Sequence, residues 1–222
     1  MNRTGLFFHE ECFWHSGGNY AFTVPVGGFV QPLAVGGLPE NPESKRRFKN
    51  LLELSGLSKD LQLLSSRRAS VDEILLVHTK KYINDFIKLS ENGGGELGKQ
   101  APFGPGGFEI ASRSTGLVVM AVDAVMRGEL DNAYALSRPP GHHCLPDVPN
   151  GFCLLNNIAI AVRVAQASKQ VRRVAIIDWD VHHGNGTEAI FYDDPNVLTI
   201  SIHQNRNYPL DTGSNLDRGQ GE

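Results

Sequence analysis

Apolar residues along the chain fall into two rhythms. Between Glu109 and Arg127 they recur at Ile110, Leu117, Met120, Ala121, Ala124 and Val125, the spacing of one helix face, and Gly128 ends the run. Leu154 to Ala167 predicts another such helix. Shorter continuous runs, Asn132 to Ser137, Val174 to Ile177 and Val197 to Ile202, have the pattern of strands buried on both faces. Asn41-Pro42-Glu43 predicts a capped helix start with Pro at the first position, running to about Ser55 and stopped by Gly56. Ser70-Val71-Asp72-Glu73 is a capping box that opens a second helix. A third is expected from about Lys80 to Glu91, before Gly93-Gly94-Gly95, and a short one from Gly184 to Tyr192. Residues 1–43 read as loops with a short strand, and Asn92 to Gly107 as a surface loop. Strands alternating with helices imply an α/β domain with a parallel sheet covered on both sides. No repeat or linker divides residues 1–222, so one domain is expected.

Chemistry gathers where two of these strands end. After Val174-Ala175-Ile176-Ile177 come Asp178, Asp180 and His182 at alternate positions. On an extended backbone these three side chains project to one side. Two carboxylates and an imidazole brought together need a cation, hydrogen-bond partners, or both. The Asp-x-His pair, Asp180 and His182, supplies the mixed oxygen and nitrogen donors that suit catalytic zinc. The plainer reading is an Asp that ends a strand and caps a helix, with histidines packed nearby. After Asn132 to Ser137 comes Arg138-Pro139-Pro140-Gly141-His142-His143. Its rigid turn fixes where each histidine aims. Beside a metal, such a pair reads as general base and electrostatic partner for hydrolysis. Alone it is weak, but two polar clusters at the carboxyl ends of parallel strands sit where open α/β sheets place ligands.

Composition narrows the setting. A net charge of −3 argues against a nucleic-acid surface, and 41% hydrophobic content is ordinary for a globular protein. Three dispersed cysteines, Cys12, Cys144 and Cys153, give no disulfide framework and suit a reducing compartment. No signal pattern follows Met1 and no apolar run is long enough for a bilayer, so a cytoplasmic protein with no membrane partner is expected. His9, Cys12 and His15 are spaced in threes but are read as loop residues, not as a metal site.

RPPGHH, the NGFC of Asn150 to Cys153, DWDVHHGNG and the SIH of Ser201 to His203 together resemble the histone deacetylase and acetylpolyamine amidohydrolase superfamily. Asn185, within HHGNG, is closer to class II and bacterial histone deacetylase-like amidohydrolases than to class I. The similarity runs from about Thr4 onward, with four motifs in order. It implies a three-layer arginase/deacetylase-like α/β fold, with a mostly parallel central sheet between helices. It also implies a zinc-dependent amidohydrolase that removes acetyl or other acyl groups from acyl-lysine or small acylated amines.

By that resemblance Asp180 and His182 hold zinc. His143 moves the proton, His142 is its electrostatic partner bonded to Asp178, and Asn185 takes the place beside His143 where class I members carry Asp. Asp178 has a second implied role, with backbone oxygens of Asp180, His182 and Ile202 and the Ser201 hydroxyl, as a ligand of potassium. Phe191, Asp194 and Val197 match a second potassium site. Phe152 and Tyr208 become opposed walls of a substrate channel, and Gly151 a backbone contact to substrate. The N-terminal region is implied to form pocket rim and subunit contacts, so a homo-oligomer is possible. The family's second Asp ligand and oxyanion-donating Tyr find no match before Gly219-Gln220-Gly221-Glu222, so the chain is expected to be the larger, N-terminal part of a longer domain. Two alternatives stand beside this. One is a non-catalytic acyl-amine-binding or assembly module lacking those groups. The other is a dinuclear manganese ureohydrolase, which wants more carboxylates than this pattern offers.

Overall fold

The computed structural model describes residues 3–18, 20–21, 24–25 and 38–221. In chain order its elements are β1 (Thr4–Phe7), β2 (Tyr20–Ala21), β3 (Val24–Pro25), α1 (Pro42–Leu54), β4 (Leu61–Leu64), α2 (Val71–Ile74), α3 (Lys80–Glu91), β5 (Gly95–Glu96), β6 (Pro102–Phe103), α4 (Gly107–Met126), β7 (Asn132–Ala135), α5 (Asn157–Ala167), β8 (Val174–Asp178), α6 (Asn185–Phe191) and β9 (Val197–Ser201). β1 lies between β4 and β7, parallel to both, with Thr4 opposite Leu61 and Asn132. β8 and β9 form a second parallel ladder. The short strand expected in residues 1–43 is therefore the middle strand of a sheet. β4 was not anticipated, because Leu-Gln-Leu-Leu carries no alternation and Leu63 stays 54% exposed.

Helix starts follow the caps written in the sequence. Asn41 accepts from the Glu43 amide ahead of Pro42, and both halves of the Ser70–Glu73 capping box form. That box closes only the single turn α2, and Thr79 then caps α3 over the residues expected. α4 lies across β1 and β7, where Leu117, Ala121 and Ala124 pack with Phe7, Cys12 and Leu130. α5 packs along α4 on one side and against Ile176, Phe191 and Val197 on another.

Two expectations are overturned. β7, β8 and β9 are not buried on both faces: in β7, Asn132 is exposed and Tyr134 is 51% exposed. α5 covers the face carrying Ile176, while Ile177, Leu198 and Ile200 are 55%, 59% and 40% exposed, with no cover among the described residues. Continuous apolar runs report low polarity on both faces, whereas burial depends on what packs there. Nor is Asn92 to Gly107 a plain surface loop. It holds the β5–β6 hairpin, and Ala101 and Phe103 belong to the main core.

Candidate active site

The turn after β7 is fixed from beneath by buried polar groups. Arg138 is buried, and its guanidinium donates to Glu40 at 2.9 Å and to the carbonyls of Cys12 and His15. The Pro139 carbonyl accepts from Ser114 Oγ and Asn157 Nδ2, and Asn157 Oδ1 accepts from Thr115 Oγ1 at 2.7 Å. Unpaired polar groups at such depth are costly, so this network gives the turn one orientation. His142 and His143 then lie side by side, ring centroids 4.0 Å apart. The start of α6 docks on them, with the amides of Gly186 and Thr187 donating to the His142 carbonyl.

Each histidine has its own partner. His142 Nδ1 lies 2.8 Å from Asp178 Oδ2, and His143 Nδ1 lies 2.8 Å from Asn185 Oδ1. Gly184 lets Asp178 come this close, because a Cβ there would stand 2.3 Å from Asp178 Oδ2. With Asn185 Oδ1 as acceptor, His143 carries its proton on Nδ1 and keeps the Nε2 lone pair. Burial pushes His143 down to about 4, helped by the neighbouring His142, and the Asn185 bond offsets only part of this. Burial acts to raise the Asp178 carboxyl. The hydrogen bond and charge of His142 outweigh it and hold that carboxyl below the usual range.

Asp180 and His182 share one side, but not because the strand continues. β8 ends at Asp178, so alternation along an extended backbone does not apply beyond it. Two side-chain turns do the work instead: Asp178 Oδ1 accepts from the Asp180 amide at 3.0 Å, and Asp180 Oδ1 accepts from the His182 amide at 2.8 Å. Asp180 Oδ1 thereby comes 3.4 Å from His182 Nδ1. One carboxylate and one imidazole converging at this distance fit two positions of a zinc site. Among the described residues no third His, Cys, Asp or Glu completes the group.

The remaining predicted positions surround these pairs. Tyr208 stands edge-on to His143 and His182, at 5.0 and 5.8 Å between ring centroids, and its hydroxyl donates to Asn150 Oδ1. Burial raises the pKa of that phenol. Gly151 has φ +49°, and a Cβ there would stand 2.5 Å from His143 Cδ2, so the chain passes this closely only as glycine. Phe152 is half-buried with φ +67°. Its amide and that of Gly151 bond to the carbonyls of Gln100 and Lys99, which ties the 92–107 segment to the site. Asp178 is the register partner of Ser201, and the Ile202 amide donates to the Asp178 carbonyl. The Ser201 hydroxyl lies 2.8 Å from His203 Nδ1. Phe191, Asp194 and Val197 form one connected turn, with Asp194 N bonded to Phe191 O and Val197 N to Asp194 O.

Sequence reasoning missed the groups beneath. His78 accepts from the Asn156 amide at 3.0 Å, and Asn156 in turn caps α5 and donates to the Cys144 carbonyl. The adjacent asparagines before an apolar helix were the available signal: one caps, and the other has no place in a helix core unless it is bonded. His183, the second histidine of DVHHG, is 2% exposed and also went unassigned.

Comparison with known proteins agrees with this arrangement. Residues 38–222 match the model of the histone deacetylase domain. The chain is 54% identical, over 225 aligned residues, to a histone deacetylase-like amidohydrolase of Pseudomonas aeruginosa, covering 99% of this chain and 59% of that protein. It is 38% identical to the human polyamine deacetylase HDAC10, over 82% of this chain and 29% of that one. The crystal structure of the HDA15 HD domain superposes with a TM-score of 0.84 at 30% identity, covering 96% of this chain and 58% of the other. The chain thus spans less than two thirds of the length of these relatives. With paired histidines, their Asp and Asn partners and a mostly parallel α/β fold all in place, the chain belongs to the histone deacetylase family.

Proposed function

We propose that this site belongs to a zinc-dependent amidohydrolase that removes acetyl or other acyl groups from acyl-lysine or small acylated amines. The observation that carries the reading is the pair of histidines, bonded one to a carboxylate and the other to an amide, next to the Asp180–His182 pair. Asp180 and His182 would hold the zinc, which when bound polarises an acyl carbonyl and acidifies water. His143, neutral at its Nε2, takes a proton from the attacking water and returns it to the departing amine nitrogen. Asn185 fixes the His143 tautomer without adding charge, and Asp178 orients His142 beside it. Gly151, Phe152 and Tyr208 line the path of the amine's aliphatic stem, where aromatic faces favour apolar methylenes. Asp178, Ser201 and the backbone oxygens of Asp180, His182 and Ile202 would hold potassium, a hard ion suited to oxygen donors, and Phe191, Asp194 and Val197 would hold a second. Similarity to a polyamine deacetylase supports a small amine substrate as well as acyl-lysine. Three free, buried cysteines fit a cytoplasmic setting.

A second reading is a catalytically incomplete acyl-amine-binding module that keeps the pocket and holds the acylated amine without hydrolysing it. A dinuclear manganese ureohydrolase would want further carboxylates around its metal pair. Hydrolysis of fluorogenic acetyl-lysine and of an acetylated diamine by the purified protein separates them. Turnover that a chelator stops and His143→Ala abolishes supports the amidohydrolase. Binding of either compound without turnover supports the module.

A further inference from the structure

The segment from Gln204 to Asp217 carries Tyr208 over the histidines, yet apolar packing does not hold it. It contains no helix or strand, and its leucines, Leu210 and Leu216, are 76% and 80% exposed. What holds it is polar. His183, which is buried, has Nδ1 2.9 Å from Thr212 Oγ1 and Nε2 3.1 Å from Glu188 Oε2 on α6. Its backbone amide also donates to the Tyr208 carbonyl at 3.3 Å. The His203 ring lies 4.7 Å from that of His183, with Nδ1 on Ser201 Oγ and Nε2 3.0 Å from the Gly213 carbonyl. Gly213 has φ +75°, and a Cβ there would stand 2.5 Å from His203 Nε2 and 2.7 Å from His183 Cγ, so the loop runs directly over both rings. The front of the loop is tied separately, by Tyr208 to Asn150 and by the Gln204 amide to the Val181 carbonyl.

We propose that His183, seconded by His203, is a positioning residue that clamps the Tyr208 loop through Thr212 and Gly213 and so sets how tightly the channel grips the substrate's stem. Neither ring has a part in the proton transfer described above. The clamp joins α6, β9 and the loop, so the start of the helix that carries Asn185 and the wall that faces His143 are placed by one connected set of groups. The link to substrate affinity rests on the proposed amidohydrolase reading, whereas the link to loop order does not.

Thr212→Val removes a hydroxyl that also bonds the Pro209 carbonyl inside the loop. His183→Leu, which keeps that inner bond, is therefore measured beside it and should speed hydrogen exchange as well, an unchanged rate there overturning the clamp. Thr212→Ser keeps the hydroxyl. Hydrogen–deuterium exchange across residues 204–213 of the purified protein reads the clamp itself. Steady-state kinetics on acetyl-lysine read its consequence. Thr212→Val is expected to speed exchange in this segment alone and to raise KM about three- to ten-fold, the range a lost hydrogen bond gives, with kcat within about two-fold. Thr212→Ser should restore both values. Exchange in Thr212→Val equal to that of the unmodified protein, or an equal loss in Val and Ser, overturns the clamp. Absence of any turnover by the unmodified protein counts against the amidohydrolase reading, and the exchange result then still decides whether His183 holds the loop.

Discussion

His78 should make the protein lose stability in mild acid, by an amount that one substitution can isolate. Its ring is 3% exposed and used at both nitrogens: Nδ1 lies 3.1 Å from the Pro146 carbonyl, and Nε2 accepts from the Asn156 amide at 3.0 Å. That geometry admits only the neutral ring protonated on Nδ1. A second proton on Nε2 would face the Asn156 N–H. Burial accordingly pushes His78 from 6.5 down to about 4, although the carbonyls of Pro146 and Leu145 pull the other way. The folded value lies below the unfolded one, so the unfolded chain binds the proton first. The stabilisation is therefore complete above pH 6.5 and is lost as pH falls from there toward 4. A pKa depressed this far corresponds to about 3 kcal/mol in full, of which about 2 kcal/mol is lost between pH 7 and pH 5. Urea unfolding at a series of pH values, for the unmodified protein and His78→Gln, measures it. Gln retains a donor and an acceptor but does not titrate, so the contributions of the other titrating groups cancel in the difference. The two stability curves should converge by about 2 kcal/mol on going from pH 7 to 5. Parallel curves would show that His78 is not held neutral and would refute the reasoning.

Two further outcomes follow from the site. Asn185→Asp puts a carboxylate 2.8 Å from His143 Nδ1, where burial now holds the ring near 4. An adjacent opposite charge raises a histidine by about 1–3 pH units. The acidic limb of the kcat/KM profile should move up by that amount and activity at pH 5.5 should fall; an unmoved limb contradicts the assignment of His143 as base. Asn157→Leu strips the bonds to Ser114 Oγ, Pro139 O and Thr115 Oγ1 from a buried site. It should cost about 2–4 kcal/mol in urea unfolding, and a loss below about 1 kcal/mol would show that the network does not hold the turn.

Much of this architecture is legible in the sequence because it rests on local rules. The helices from Pro42, Lys80, Gly107 and Asn157 start within a few residues of the positions that caps and periodicity give. The partners of His142 and His143, Asp178 and Asn185, are the ones the family resemblance implies. What was not legible depends on distant packing. β4 is too short for a period to show and becomes a strand by pairing with β1, whose central place in the sheet likewise comes from pairing across the chain. The exposed faces of β8 and β9 escape prediction because an apolar run does not record what packs on it. Asp180 and His182 come together through successive carboxylate-capped turns and not through strand alternation, so the expected proximity arises by a different route. His183 and Thr212 are 29 residues apart, and nothing local in either segment announces their contact.

The central claim is that Asp180 and His182 jointly hold a divalent zinc beside the paired histidines. Zinc analysis of the purified protein, together with Asp180→Ala and His182→Ala, tests it most directly. The account predicts about one zinc per chain in the unmodified protein and loss of most of it in each variant, with circular dichroism unchanged. Zinc retained at full stoichiometry by either variant, or bound by neither variant nor the unmodified protein, would contradict it.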